Sequence, residues 1–376
     1  MVNLNPQPLR RCVSSMDQFR LLVRAASAFM RAGILLFGIS PLQIAAQHPH
    51  AASGITSLTN PEVQYEVVGQ HQVVLKRGPV TAVIVDNAAI DTAQLPGHRA
   101  GYNGIASLTH REQTKNLFVP TIAGLNFEHI HDGTLVGLPE KFEPRKFPMQ
   151  LRVVNQYTVE LYQPPTGNWK LESCGRYELL PDGVIQYTFE CIPRKGGFRH
   201  GFIGLFWASY IQQPEDKSIQ FIGRPANARE EEGWIRAVTP RHGVDSTHPP
   251  VDYPDKIDID DDFPLSLVGN QSRFRYTQPW YFGVSHSMAY VQVFRAEDLL
   301  WFAQSPSGGG NGNPAWDFQW FIPNYQIDEA YGFTMRAGYF PYQSKEQVEG
   351  FVATQRRALD EFVSKALERD DVDVGR

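Results

Sequence analysis

The sequence predicts an all-β protein, a large antiparallel β-supersandwich closed by one C-terminal α-helix, on three observations. Apolar and polar residues alternate with the two-residue repeat of a β-strand through most of the chain after Val63. Turn formers are abundant, with 31 Gly and 27 Pro, and aromatics reach 12% against 20% charged residues, a balance that suits bulky sheet interiors joined by tight turns. A convincing helical repeat occurs in one place only, near the C-terminal end.

Residues 1–46 read as a signal peptide. Arg10, Arg11, Arg20, Arg24 and Arg31 precede the apolar run Ala32 to Ala46, which ends in small residues suited to cleavage. That run is about 15 residues, short of the roughly 20 that span a bilayer, so an exported chain with no membrane partner after cleavage is expected, secreted or periplasmic. Cleavage removes five Arg and one Asp, taking 35 basic and 40 acidic residues to 30 and 39, a formal net of −9. Such a surface argues against nucleic acid as a partner. Residues 47–61 read as a flexible polar segment.

The β domain is expected over residues 62–343. QYEVVGQ, QVVLKRG and VTAVIVDN read as successive strands with a turn at Gly78-Pro79, followed by YNGIASLTH, KNLFVPTI and GLNFEHIH. QLRVVNQYTVELYQPP, a hairpin around Pro181-Asp182-Gly183, FIGLFWASYI and KSIQFIG continue the pattern. Asn227 to Pro264 is polar and Pro-rich and reads as one long loop; loops of that length in a compact domain are usually functional. Strands resume at RFRYTQPWYFGVSHSMAYVQVFR and end with DFQWFIPN and YGFTMRAGYFPY. SGGGNGNPAW between them is a glycine-rich turn, and without a following G-K-[ST] it is no phosphate loop, so no cofactor is called for. Residues 344–370 form the helix, with Val348, Phe351, Val352, Leu359, Phe362, Val363 and Leu367 as its apolar stripe and Ser344 with Gln347 as a capping box.

Within the hairpin, a two-residue Asp182-Gly183 turn would set Cys174 opposite Cys191 at a non-hydrogen-bonded position, close to the spacing a disulfide needs. A bond between them is expected on that register; a three-residue turn would break it.

The densest chemistry lies in GLNFEHIHDG, Gly124 to Gly133. Alternation along a strand puts His129 and His131 on one face with Phe127, and Glu128 and Ile130 on the other. An H-x-H pair of this kind can grip a metal, a phosphate or a sugar hydroxyl. The long loop adds TPRHGVDSTHPP, where Arg241, His242, Asp245 and His248 bring a cation, bases and an acid within eight residues. His286 follows Trp280 in QPWYFGVSH, and an indole face stacks well on a sugar ring. Trp316 and Trp320 would share one face of a late strand. A metal at these histidines has no support from H-E-x-x-H or C-x-x-C, and no spacing selects a third ligand.

The order of GYNGIASLTHRE, GLNFEHIHDG and CGRYELLPDGVIQYTFE resembles the galactose-mutarotase-like (aldose 1-epimerase-like) superfamily. The resemblance rests on Gly104, Ile105, Ser107 and Leu108 of a framework strand and on Arg176, Tyr177, Leu179, Asp182, Gly183 and Ile185 of a later hairpin. It implies a carbohydrate ligand in a β-sandwich groove and acid–base chemistry near an anomeric carbon. By position His129 or His131, a second histidine such as His200 or His242, and Asp317 or Glu329 would be the catalytic groups. Arg241, Asp245, His248, Trp280, His286 and Arg236 would hold the substrate. The epimerase segment resembling N-H-x-Y-F-N-L has no counterpart here, so a lyase, a hydrolase or a non-catalytic carbohydrate-binding or cell-envelope protein on the same scaffold fits the resemblance as well as an epimerase. A histidine-ligated metalloenzyme is the remaining alternative.

Overall fold

The computed structural model describes residues 54–134, 142–227, 232–253, 256–261, 263, 270–308, 310 and 312–373; the expected signal peptide lies outside them. Among the described residues nineteen strands, numbered in chain order, run antiparallel in three sheets. The largest has the order β1 (Glu66–Val67), β6 (Gln150–Asn155), β7 (Thr158–Gln163), β8 (Leu171–Leu179), β9 (Ile185–Pro193), β19 (Tyr331–Pro341), β16 (Met288–Val293), β15 (Trp280–Ser285), β11 (Ile219–Pro225) and β12 (Gly233–Ala237), with β14 (Phe274–Tyr276) paired beside β11. The second has the order β13 (Thr247–His248), β17 (Trp301–Ser305), β18 (Ala315–Pro323), β10 (Phe202–Ala208) and β5 (Asn126–His131). The third is β2 (Gln72–Arg77), β3 (Val80–Val85) and β4 (Gly104–His110).

The first two sheets face each other across an aromatic core. Phe189 on β9 lies 4.9 Å from Phe127 on β5 and 4.8 Å from Trp207 on β10. Phe318 on β18 meets Phe333 on β19 at 5.9 Å, and Tyr281 on β15 meets Phe302 on β17 at 4.9 Å. Each such pair adds about 0.5–1.5 kcal/mol beyond the area it buries. Trp207 donates its indole N–H to Tyr187 Oη at 3.0 Å, so its one polar atom stays satisfied in the dry interior. Trp316 and Trp320 share the core-facing side of β18, as their spacing predicts.

The outer face of the eleven-stranded sheet is covered in two ways. Over β15 and β16, helix α2 (Lys345–Asp373) lays Val348 and Val352 on Trp280, Phe282, Ala289, Val291 and Val293. The capping pair forms: Gln347 N–H donates to Ser344 Oγ at 3.3 Å, and Gln347 Oε1 reaches back to accept from Gln343 N–H at 2.9 Å. Leu367's side chain is outside the described set. Over β7 to β9 the cover is the chain itself. Ile55 N–H, Thr56 N–H and the Thr56 and Thr59 hydroxyls all donate to the fully buried Glu190 carboxylate, at 2.9, 3.1, 2.5 and 2.5 Å. Ser57 donates its N–H and hydroxyl to Glu160, which also accepts from Arg176. Residues 55–59, within the segment expected to be flexible, are therefore strapped down by two buried carboxylates.

Two expectations are corrected. In the β8–β9 hairpin Leu180 N–H donates to Val184 O, and Gly183 N–H to Leu180 O, so the turn is the three residues Pro181, Asp182 and Gly183. Gly183 takes the left-handed φ of +85° that a three-residue hairpin turn asks of its last residue. The extra residue slips the register by one: Cys174 pairs with Glu190, and Ser173 with Cys191. A one-residue slip sends side chains to opposite faces; Cys174 sits under the strap, Cys191 in the core, and both are free thiols. The stretch read as one loop from Asn227 to Pro264 also contains β12, a hairpin partner of β11, and β13 on the edge of the second sheet.

Candidate functional site

β5 opens under strain. Leu125 has φ +45° although it is a buried leucine, a conformation that costs a non-glycine residue about 1 kcal/mol or more. It is held by Ser209 Oγ, which accepts its N–H at 3.0 Å, and by the Tyr177 hydroxyl, which donates to its carbonyl at 3.2 Å. Two residues later the strand bulges. His129 pairs with Phe206 and Phe127 with Trp207, leaving Glu128 without a cross-strand partner. The bulge reverses the expected facing of Phe127, which stacks on Trp207 in the core at 5.1 Å, while Glu128 joins the histidines on the outer side of the five-stranded sheet. Ile130 points into the core as alternation requires.

Cross-strand register lays out that outer face. His129 stands in the row of Phe206, Gln319 and Trp301; His131 in the row of Gly204 and Phe321; Asn126 in the row of Ala208, Asp317 and Ala303. Gly204 has a reason to be glycine: a Cβ there would overlap the His131 ring, which lies flat across it. The face is buried. Tyr253, Ile257, Ile259 and Phe263 from the far part of the long loop pack over Phe202, Trp301 and Phe321, and the Phe263 ring is 5.2 Å from that of His131. Asp260 anchors this cover, donating its N–H to Gly133 O at 2.8 Å and accepting from His200 at 3.0 Å.

Polar groups on this face fall into two sets. One is tightly bonded. Glu128 accepts from the Tyr210 hydroxyl at 2.5 Å and from Arg145 Nη1 at 2.9 Å, and His129 Nε2 lies 3.7 Å from its other oxygen. Arg145 comes from the short helix α1 (Glu143–Lys146), stacked on Tyr102 with its Cζ 3.8 Å from the ring centre. The other set has no hydrogen-bond partner among the described residues: both ring nitrogens of His131, both amide atoms of Asn126 and of Gln319, and the indole N–H of Trp301. Leaving one such group buried and unmet costs about 1–3 kcal/mol, and this face carries several of them side by side.

Burial divides the titrating groups. It drives the His131 imidazole down to about 3, with the neighbouring His129 adding to the effect, so His131 is neutral at ordinary pH. Burial raises the Asp317 carboxyl well above its usual range, opposed by its hydrogen bond from Ser209 N–H and reinforced by the charge of Glu128. Burial thus favours the protonated form of Asp317, whereas one oxygen of Glu128 is met by two hydrogen-bond donors.

Of the residues expected at the site, His129, His131 and Asp317 come together here. His200 stands at the edge of the same face, bonded to Asp260 of the cover, and the others lie elsewhere. His248 is on the inner face of β13, bonded to Ser272 Oγ and Gln304, and burial lowers it to about 3. Trp280 is under helix α2 on the other sheet. His286 sits in the β15–β16 turn against Glu215 at 2.9 Å. His242 bonds Ser307 on the surface, with Arg241 and Asp245 exposed beside it. Arg236 pairs with Asp216 on the exposed edge strand β12, and Glu329 accepts from Tyr331 in an exposed loop. Among the described residues no three His, Cys, Asp or Glu side chains are arranged to hold a metal ion, and no helix is long and apolar enough to cross a membrane. Glu128, Tyr210, Arg145, Asn126, Gln319 and Trp301 were not expected. Gln319 was open to detection, because AWDFQWF alternates polar with aromatic residues and so places Gln319 beside Asp317.

No protein-family model matches the chain, and no curated protein matches it in sequence. Among solved structures it is similar to a putative aldose 1-epimerase from Escherichia coli K12, at 10% identity and a TM-score of 0.42, over 72% of this chain and 99% of that one. It is similar to galactose 1-epimerase from Lactobacillus acidophilus, at 10% identity and a TM-score of 0.40, over 74% and 99%. A heparan sulfate lyase from Pedobacter heparinus is similar at 8% identity and a TM-score of 0.38, over 76% of this chain and 37% of the lyase.

Proposed function

We propose that the chain is an exported carbohydrate-active protein that binds a sugar on the outer face of its five-stranded sheet and performs acid–base chemistry there. The observation that carries this reading is the group of buried polar atoms without hydrogen-bond partners among the described residues, on Asn126, His131, Gln319 and Trp301, beside two carboxylates in different environments. Amide, imidazole and indole groups offer both donors and acceptors at fixed positions, which is what a ring of neutral hydroxyls needs, and Trp301 adds an apolar face for the ring. Asp317, whose burial favours the acid form, supplies a proton, and Glu128, held by Arg145 and Tyr210, receives one. The loop over the face must move for a ligand to enter.

Titration of galactose, glucose and their oligomers into the intact protein, followed by indole fluorescence, tests the reading. Binding is expected to fall at least tenfold in His131→Leu and in Gln319→Leu. Anomeric interconversion or chain cleavage, followed by NMR, is expected to fall at least 100-fold in Asp317→Asn with binding retained. Binding that is indifferent to both His131 and Gln319 sinks it.

A further inference from the structure

Helix α2, the β8–β9 turn and the ends of β4 and β19 border a cavity of about 340 Å³. Its walls are Pro79, Val184, Tyr339, Phe340 and Phe351, all apolar or aromatic, and His110 lines it beside them. No lysine or arginine is among the described residues that line it. The acidic side chain present, Asp182, has both oxygens engaged: one accepts from Val184 N–H at 3.2 Å, and the other from Gln355 Nε2 at 3.3 Å. Gln347, also in the wall, is spent on the start of helix α2. Two buried side chains keep polar atoms in reserve. His110 is 5% exposed and Tyr339 4%, with their rings edge-on at 6.4 Å. His110 Nδ1 accepts from Glu112 N–H at 3.1 Å, which leaves the proton of the neutral ring on Nε2. Burial lowers this imidazole and raises the Tyr339 phenol, so both rings are uncharged near neutral pH. Neither His110 Nε2 nor the Tyr339 hydroxyl has a hydrogen-bond partner among the described residues. The cavity therefore offers apolar walls, one N–H donor, one hydroxyl and no cation.

We infer that this cavity is a binding site for an uncharged aromatic ring bearing a hydroxyl group, which meets His110 Nε2–H and the Tyr339 hydroxyl. Three aromatic side chains and a proline present faces and edges to a flat ring. Cavities of about 150 Å³ already admit benzene, so this one holds a substituted ring. A sugar matches it less well, because its several hydroxyls outnumber the two open polar atoms and the remainder would be buried unmet. An anion would face the Asp182 carboxylate with no cation to receive it. The inference does not rest on the sugar reading, since none of these residues lies on the five-stranded sheet.

Titration of the intact protein with 4-methylphenol, toluene and benzoate, followed by ligand-observed NMR, tests this. 4-Methylphenol is expected to bind at least about tenfold more tightly than either of the others. His110→Phe and Tyr339→Phe keep the ring in the wall and remove one polar atom each. Each is expected to weaken 4-methylphenol at least about fivefold while toluene binding, which reports an intact cavity, stays within twofold. His131→Leu and saturating glucose are expected to leave 4-methylphenol binding within twofold. Absence of binding, equal affinity for 4-methylphenol and toluene, or 4-methylphenol binding that is unchanged in both cavity variants or lost together with that of toluene overturns the site. Loss of 4-methylphenol binding in His131→Leu, or its displacement by glucose, places the ring on the sheet face and overturns the site too. Glucose binding absent from a parent protein that still takes 4-methylphenol overturns the sugar reading and leaves the cavity standing.

Discussion

The outer faces of the two large sheets both bury charged and polar side chains, and they do so to opposite ends. On the eleven-stranded sheet, Glu160 and Glu190 are fully buried, and among the described residues they accept hydrogen bonds from residues 55–59 and from Arg176. On the five-stranded sheet, His131, Asn126 and Gln319 are as deeply buried and stand without partners among the described residues. The first set fastens a cover of the chain's own residues; the second does not. Burial is alike on the two faces; what differs at these residues is whether a hydrogen-bond partner stands beside them.

The contrast predicts opposite signs for mutation. The largest effect is at Glu190: Glu190→Ala leaves two buried N–H groups and two hydroxyls unmet and is expected to cost about 3–5 kcal/mol in urea unfolding. A loss under about 1 kcal/mol would show that the strap is not held as described. At His131 the effect is on the slope with pH. Its folded value of about 3 lies below the unfolded 6.5, so between those limits the unfolded chain carries a proton that the folded one refuses. Stability contributed by this group is full above pH 6.5 and falls as pH drops, by about 1.4 kcal/mol per unit. His131→Leu is expected to flatten the acid side of the stability curve by that slope, with Asp317 acting in the reverse sense because its folded value is raised. At Gln319, removal of unmet polarity reverses the usual penalty: Gln319→Leu is expected to raise stability by about 1 kcal/mol while sugar binding falls. The smallest effect belongs to the thiols. Because the register holds Cys174 and Cys191 on opposite faces, reductant is expected to leave the melting temperature unchanged.

Much of this was legible in the sequence because period and composition report local geometry. The alternation in AWDFQWF places Trp316, Phe318 and Trp320 inward and Asp317 outward, and the stripe from Val348 to Val363 announces the helix. What escaped was decided by single-residue irregularities. The bulge at Glu128 moves a carboxylate to the histidine face, and the third residue of the Pro181-Asp182-Gly183 turn separates two cysteines; neither leaves a mark in the alternation on either side. Arg145 escaped for a different reason, since its partners Glu128 and Gly101 are 17 and 44 positions away and no local pattern reports such a meeting. His248, Trp280 and His286 looked like companions of the H-x-H pair because they share its chemistry, but the topology puts them on other surfaces.

The strap also has a kinetic side. Thr56 waits for Glu190, 134 positions later, and Ser57 for Glu160, 103 positions later. Contacts of such long separation form late, because the entropy of closing the intervening chain must be met first. During synthesis residues 55–59 emerge early and stay without partners until β9 exists, and they dock only on a sheet already assembled. Refolding followed by hydrogen exchange should therefore show the amides of Ile55, Thr56 and Ser57 gaining protection after those of β8 and β9, so that the chain fastens near its beginning last.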